Sequence, residues 1–181
     1  MPAPAAGLRA AGMFINTRAT ADLELPQTVS LGAAQQINDR WTVALDVTWT
    51  EWSCFDELRV DYETPQPDSV TEEDWEDTWR CSVGVTYQVN PDWVLRAGTA
   101  YDESPIPDAA HRTPRIPDGD RAWLTLGAGI RASENCVVDI GYLHVLFHET
   151  DMNIIGATGD NLVGSYEGSV DVASIQATWG F

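Results

Sequence analysis

The sequence predicts an all-β fold, an antiparallel transmembrane β-barrel represented by about seven strands, or eight if residues 8–16 supply a poor one. Three observations predict it. Apolar residues alternate with small or polar ones in several successive stretches, the pattern of strands with two unlike faces. Aromatic residues begin or end the apolar rows. Tight turns and long links alternate between the stretches.

Taken in order, a first strand is expected at 25–37. A second, at 41–52, places Trp41, Val43, Leu45, Val47 and Trp49 on one parity and Thr42, Ala44, Asp46, Thr48 and Thr50 on the other. A third, at 78–89, sets Trp79, Cys81, Val83, Val85, Tyr87 and Val89 against Arg80, Ser82, Gly84, Thr86 and Gln88. A fourth, at 93–102, sets Trp93, Leu95, Ala97, Thr99 and Tyr101 against Val94, Arg96, Gly98, Ala100 and Asp102. Strands at 121–132, 137–148 and 166–181 follow. The last carries Ala173, Ile175, Ala177, Trp179 and Phe181 on one parity. Residues 1–18 read as an irregular start or the remnant of a preceding strand, and no segment has a convincing helical period.

A soluble sandwich also alternates. Two details favour an inside-out barrel. A soluble core has no reason to put its largest rings at strand ends, whereas rings at both ends with aliphatics between them fit two water–hydrocarbon interfaces. The opposite parity mixes small residues with single charges such as Asp46, Arg80 and Arg96, which suits a polar lumen better than an open surface.

Composition narrows the function. The 181 residues carry 28 Asp and Glu against 10 basic residues, all Arg, for a net charge of −18. So acidic a surface repels phosphate backbones, which excludes nucleic acid as a partner. No apolar run is long enough for a membrane-spanning helix, and the mean hydropathy of −0.21 does not separate a barrel from a soluble protein. Cys54, Cys81 and Cys136 form no Cys-x-x-Cys pair, so neither a zinc site nor a disulfide scaffold is indicated, and Cys54 and Cys81 are expected to stay unbridged. No cofactor or metal is expected.

Short turn signals at 38–40, 90–92 and 133–135 alternate with long Pro-, Gly- and acid-rich links at 53–77, 103–119 and 149–164. Short turns on one side and long loops on the other describe a bacterial outer-membrane barrel. Closed barrels with both termini in the periplasm have an even strand number. Seven strands ending in a descending one therefore suggest the C-terminal part of a longer barrel. The absence of a signal-like start before residue 19 points the same way, and sequencing upstream of Met1 would test it. The final strand, with Trp179 and Phe181, has the aromatic ending that the barrel assembly machinery is thought to read.

A specific resemblance emerges at the fourth strand. Residues 101–107 read Tyr-Asp-Glu-Ser-Pro-Ile-Pro; Arg112 and Pro114 follow; and residues 116–127 read Ile-Pro-Asp-Gly-Asp-Arg-Ala-Trp-Leu-Thr-Leu-Gly. This pairing resembles the FadL-type outer-membrane transporters of long-chain fatty acids and other hydrophobic compounds. Supporting fragments are residues 23–26, 49–53, 90–93 and 138–142. The resemblance covers residues 19–181 and implies about the last seven strands of a fourteen-stranded cylinder, as well as passive uptake of hydrophobic molecules. The family's hatch and kinked strand have no counterpart in the matched stretch. Where the family has a basic residue associated with ligand carboxylate, residues 70–78 are acidic or neutral, which leaves room for a neutral hydrocarbon or aromatic ligand.

Trp52, Phe55, Trp75 and Ile106 are the loop-side apolar residues expected to collect ligand. Arg80 and Arg96, with Asp46, Asp102 and Asp139, fall on the lumen parity; they either guide a polar head group or pair across strands, and pairing is the commoner outcome. Ser104, Pro105, Pro107, Pro117, Asp118, Asp120 and Arg121 form the family loop motif, with prolines that stiffen it and charges that fix the strand start. Residues 56–77 hold ten acids against Arg59 and read as a solvated external loop, with no EF-hand spacing for calcium. His144, His148 and Asp151 read as a polar strand tip rather than a catalytic set, since no serine lies in a nucleophile motif. Expected partners are outer-membrane lipid and lipopolysaccharide, a hydrophobic small molecule and the assembly machinery. Alternatives are a structural or adhesive barrel with a packed interior, or a lipid-modifying barrel enzyme for which His144 would be indispensable.

Overall fold

The computed structural model describes residue 7 and residues 16–64, 66–156 and 159–180. In chain order the elements are β1 (Ala19–Thr20), β2 (Thr28–Gln36), β3 (Trp41–Thr50), a single 3-10 turn (Trp52–Cys54), β4 (Glu57–Tyr62), β5 (Ser69–Glu72), β6 (Thr78–Asn90), β7 (Trp93–Asp102), β8 (Arg121–Ser133), β9 (Cys136–Ile155) and β10 (Asn161–Trp179). Seven strands form one antiparallel sheet in the order β10-β9-β8-β7-β6-β3-β2, and three form a small sheet in the order β1-β4-β5.

The large sheet is the seven-strand wall that the alternation predicts, and between its register shifts the ladders keep one parity on one face. Trp41 pairs with Tyr87 and Trp49 with Trp79, while Leu45 pairs with Val83. Val85 pairs with Ala97, and Ala97 in turn with Leu126. The resulting outward face is aliphatic over much of its middle, with Leu31 79%, Leu45 57%, Leu126 63% and Ile175 77% exposed, and Tyr142, His144 and Asp171 form a polar cluster on the same face in β9 and β10. Its rims are aromatic: Trp41 and Tyr87 stack with centroids 4.5 Å apart. The ring pairs Trp41/Trp49, Trp79/Tyr87 and Trp93/Tyr101 share one spacing, about 26 Å along a strand, which the usual tilt fits into an apolar band of about 25 Å.

Two of the turns are built alike. The side-chain oxygen of Asn38 accepts from the N–H groups of Arg40 and Trp41 at 2.9 and 3.0 Å, and that of Asn90 from Asp92 and Trp93 at the same distances. This local bond closes the chain over three residues and places a tryptophan at the start of the returning strand.

Among the described residues no second layer covers the wall. Among the described residues the buried apolar side chains are Phe55, Ile106, Cys136, Val145 and Met152. Phe55, Ile106 and Met152 lie in or against the long links, so the loop end carries a small core of its own.

The structure corrects the sequence reading in three places. Residues 53–77 are not an irregular loop: they hold the 3-10 turn, β4 and β5, and β4 pairs with β1 through Ala19 with Tyr62 and Thr20 with Asp61. Short length and dense acids masked these strands. Residues 149–164 are not a long link either, because β9 runs on to Ile155 and β10 starts at Asn161, opposite it. His144 is therefore inside a strand, not at its tip. Phe181, and the strand considered at 8–16 except for Asn16, lie outside the described residues.

The small cap at the loop end is organised by one acid. Glu73, 1% exposed, accepts a hydrogen bond from the Trp75 indole at 3.1 Å. Its neighbour Asp74 has φ 44°, uncommon for a residue with a side chain. Burial pushes the Glu73 carboxyl above its ordinary value, and the Trp75 bond, Arg115 and His111 offset part of that rise. His111 also bonds Asp108 at 2.8 Å and lies 3.5 Å from Asp74. Asp77 and Asp108 are held low, chiefly by hydrogen bonds with Ser53 and His111.

Two outcomes follow. Leu45→Arg, which puts a cation into the middle of the outward face, is expected to destabilise the wall by about 2–4 kcal/mol in denaturant unfolding from lipid vesicles, whereas Ala44→Ser on the other face leaves the midpoint unchanged. An acid with a raised folded-state pKa binds more protons folded than unfolded, so its contribution to stability falls as pH rises from the ordinary to the raised value. Glu73→Gln keeps an acceptor for Trp75 and removes that ionisation. Hydrogen exchange of residues 52–76 should then slow at neutral pH and lose this part of its pH dependence relative to wild type; identical profiles would count against a buried acid.

Candidate functional site

At the loop end of β7 and β8 the proline-rich motif closes on itself. Asp120 accepts from the Ser104 N–H at 2.9 Å and from the Tyr101 hydroxyl. The Ser104 hydroxyl reaches Asp118 at 3.3 Å and receives the Ile106 N–H at 3.3 Å. Arg121 bridges Asp102 and Asp118, both at 3.2 Å. Prolines set φ and remove donors, so this chain of bonds holds one loop shape. Pro105 and Ile106 are buried, Pro107 is half-buried and Pro117 is exposed. The Pro105 carbonyl accepts from Glu76, which ties the motif to the acidic segment.

Arg112 completes the clasp. It is 8% exposed and donates to the carbonyls of Asp118 and Asp151 at 2.8 and 2.6 Å, fastening the loop to β9. Gly119 lets the loop lie flush, since a Cβ there would stand 2.6 Å from Thr150 Cγ2.

Beneath the clasp, the lumen face carries a recess of about 330 Å³ lined by Trp52, Thr28, Thr50, Thr78, Arg80 and Arg121, together with Asp102 and Glu103. Arg80 stands opposite Asp102 in the ladder but, among the described residues, makes no ion pair. Hydroxyls line the way down: Ser30 to Thr48 at 2.9 Å, and Thr48 to Asp46 at 3.1 Å.

Deeper in the wall lies a recess of about 580 Å³. Its lining is small because glycines face each other across the ladders, Gly84 with Gly98 and Gly127 with Gly141. At its turn-side limit Arg96 of β7 reaches over β8 to Asp139 of β9, at 2.8 Å. The other face differs: Tyr142 and His144 both bond Asp171, the latter at 2.7 Å. Among the described residues no serine hydroxyl reaches His144.

Of the residues expected to collect ligand, three meet. Trp75 packs edge-on against Trp52 and Phe55, with centroids 5.0 and 4.8 Å apart. Phe55 and Ile106 are buried, 7% and 5% exposed, as cap core, whereas Trp52 lines the upper recess. Among the described residues Arg96 pairs across strands while Arg80 makes no ion pair, so these two cations of the lumen parity have different fates. Trp179 ends β10, 63% exposed. Sequence reasoning missed Glu73 and Gly129 as well as the anchoring role of Arg112. The available signal was an arginine two residues before Pro114, in the stretch 112–121 where three of the chain's ten arginines gather.

Residues 3–181 match the family described as outer membrane protein transport protein (OMPP1/FadL/TodX). A putative outer membrane protein of Neisseria meningitidis serogroup B is 28% identical over 96% of this chain and 40% of its own length. The long-chain fatty acid transport protein of Escherichia coli K12 is 31% identical over 67% of this chain and 28% of its own length. Among solved structures, a Pseudomonas aeruginosa FadL homologue aligns with TM-score 0.79 at 33% identity, covering 89% of this chain and 37% of that one. The Pseudomonas putida toluene transporter TodX has the same fold, with TM-score 0.64 at 20% identity, over 91% of this chain and 37% of that one. The chain thus spans well under half the length of these relatives. With its apolar outward face, its clasped proline motif and a match running almost end to end, the chain belongs to the OMPP1/FadL/TodX family of outer-membrane proteins.

Proposed function

We propose that this chain forms part of the wall of a passive channel for hydrophobic molecules, either long-chain fatty acids or neutral hydrocarbons and aromatics. One observation carries the reading: the wall is a single layer with an apolar outward face, and its other face keeps open recesses of about 330 and 580 Å³ instead of a packed interior. The relatives named as transporters of fatty acids and of toluene support it. In this reading β2 and β10, at the two edges of the sheet, join further strands that close the cylinder, because unpaired edges have no partner in lipid.

Collection starts at the cap. Trp52 offers an apolar face beside the upper recess, and ligand moves down its gradient without chemistry. Lipid and lipopolysaccharide surround the outward face, and the assembly machinery recognises the aromatic last strand. The acids at 72–77 disfavour a carboxylate at the cap, so neutral compounds are the preferred class.

Uptake of a labelled aromatic hydrocarbon into vesicles holding the protein tests this, and a sealed structural barrel would show no flux. Trp52→Ala is expected to slow uptake about tenfold, equivalent to about 1.4 kcal/mol, without loosening the wall. Phe55→Ala, by contrast, should loosen the cap, visible as faster proteolysis there. If Arg80→Gln abolishes saturable uptake of a long-chain carboxylate while sparing the hydrocarbon, fatty acid is the ligand instead.

A further inference from the structure

We infer that the Arg96–Asp139 pair is a specificity-determining site for neutral, hydroxyl-bearing hydrophobic ligands such as alcohols and phenols. The inference rests on the transport reading above and narrows its ligand class. Arg96 and Asp139 belong to strands separated by β8. They meet at 2.8 Å only because β8 presents Gly127 and Gly129 beneath them. A Cβ on Gly129 would stand 2.7 Å from Asp139 Oδ1 and 3.3 Å from Arg96 Nη1, so the pair lies flat over bare backbone.

The pair is not used up by this contact. Among the described residues it is the one side-chain hydrogen bond of either partner, which leaves Arg96 Nε and Nη2 as donors and Asp139 Oδ2 as an acceptor. Their side chains are 48% and 35% exposed, and both line the deep recess. A hydroxyl donates and accepts at once, so it can bond both ends of such a pair, while an alkane must strip water from it and regain nothing.

Charge decides against an anion. Among the described residues, the charged ones lining this recess are Asp46, Asp139 and Arg96, a net charge of −1, and Arg96 is already engaged. A carboxylate would meet two like charges; a neutral hydroxyl meets none. Above the pair, Ala44, Gly84, Gly98, Gly127 and Gly141 leave room for the apolar body.

The test compares a straight-chain alkanol with the alkane and the alkanoate of the same chain length, in the full protein that carries this segment. Both vesicle flux and equilibrium binding are measured. Wild type is expected to bind and pass the alkanol about tenfold better than either analogue, as hydrogen bonds to charged groups allow. The double variant Arg96→Met with Asp139→Leu should erase that preference while leaving alkane flux in place. The exchanged pair, Arg96→Asp with Asp139→Arg, should restore it. Gly129→Ala keeps both charges but forces them off the backbone, and should lower the preference at unchanged heat-modifiable migration, the check that the barrel has folded. Equal handling of all three probes by wild type, or an equal change for all three in the variants, overturns the site and leaves the pair a strut. Selective alkanol binding without flux of any probe would overturn the transport reading and keep the site.

Discussion

Every backbone N–H and C=O in a membrane-spanning sheet must find its partner sideways, in the next strand, because hydrocarbon supplies none. The large sheet meets this demand by keeping its ladders unbroken where the outward face is apolar. Its register shifts fall elsewhere: between Gln88 and Asn90 and between Arg131 and Ser133 near the turns, and between Tyr166 and Gly168 in the upper part of β10. Irregularity is confined to the parts of the wall where water or loop can satisfy a freed group.

The wall is held by lateral hydrogen bonds between its strands, and small residues mark its lumen face. A soluble sheet buries one face against a second layer and fills it with bulky side chains. Here that face carries Gly84, Gly98, Gly127 and Gly141, which add no bulk to the deep recess. The same freedom lets Arg96 cross a whole strand to reach Asp139, a path that any side chain on Gly129 would block.

The cap obeys a different rule. Above the membrane, water competes for every polar contact, so the links need a core, and they make one from Phe55, Ile106 and Met152 beside the aromatic trio of Trp52, Phe55 and Trp75. The motif from Ser104 to Arg121 supplies the rigidity, with Asp118 and Asp120 each accepting bonds from two directions. Burying Glu73 there is the costly choice in this cap, and its tie to Trp75 couples that cost to the position of an aromatic ring.

The alternation of residues such as Trp41 to Trp49 determined, by itself, the seven wall strands, their parity and which face is apolar, because a strand's period of two is a local property. The proline motif likewise announced the family and a stiffened loop whose charges sit at the start of β8, those residues being close along the chain, but not the anchoring of that loop to β9 by Arg112. Only tertiary structure decided that β4 and β5 exist, since their strand character comes from pairing with each other and with β1 rather than from any apolar row. It alone decided, too, that Arg96 pairs while Arg80 does not, that Phe55 is core while Trp52 lines a recess, and that Glu73 is buried. Each of these turns on which residues arrive from distant strands and loops, and no spacing along the chain records that.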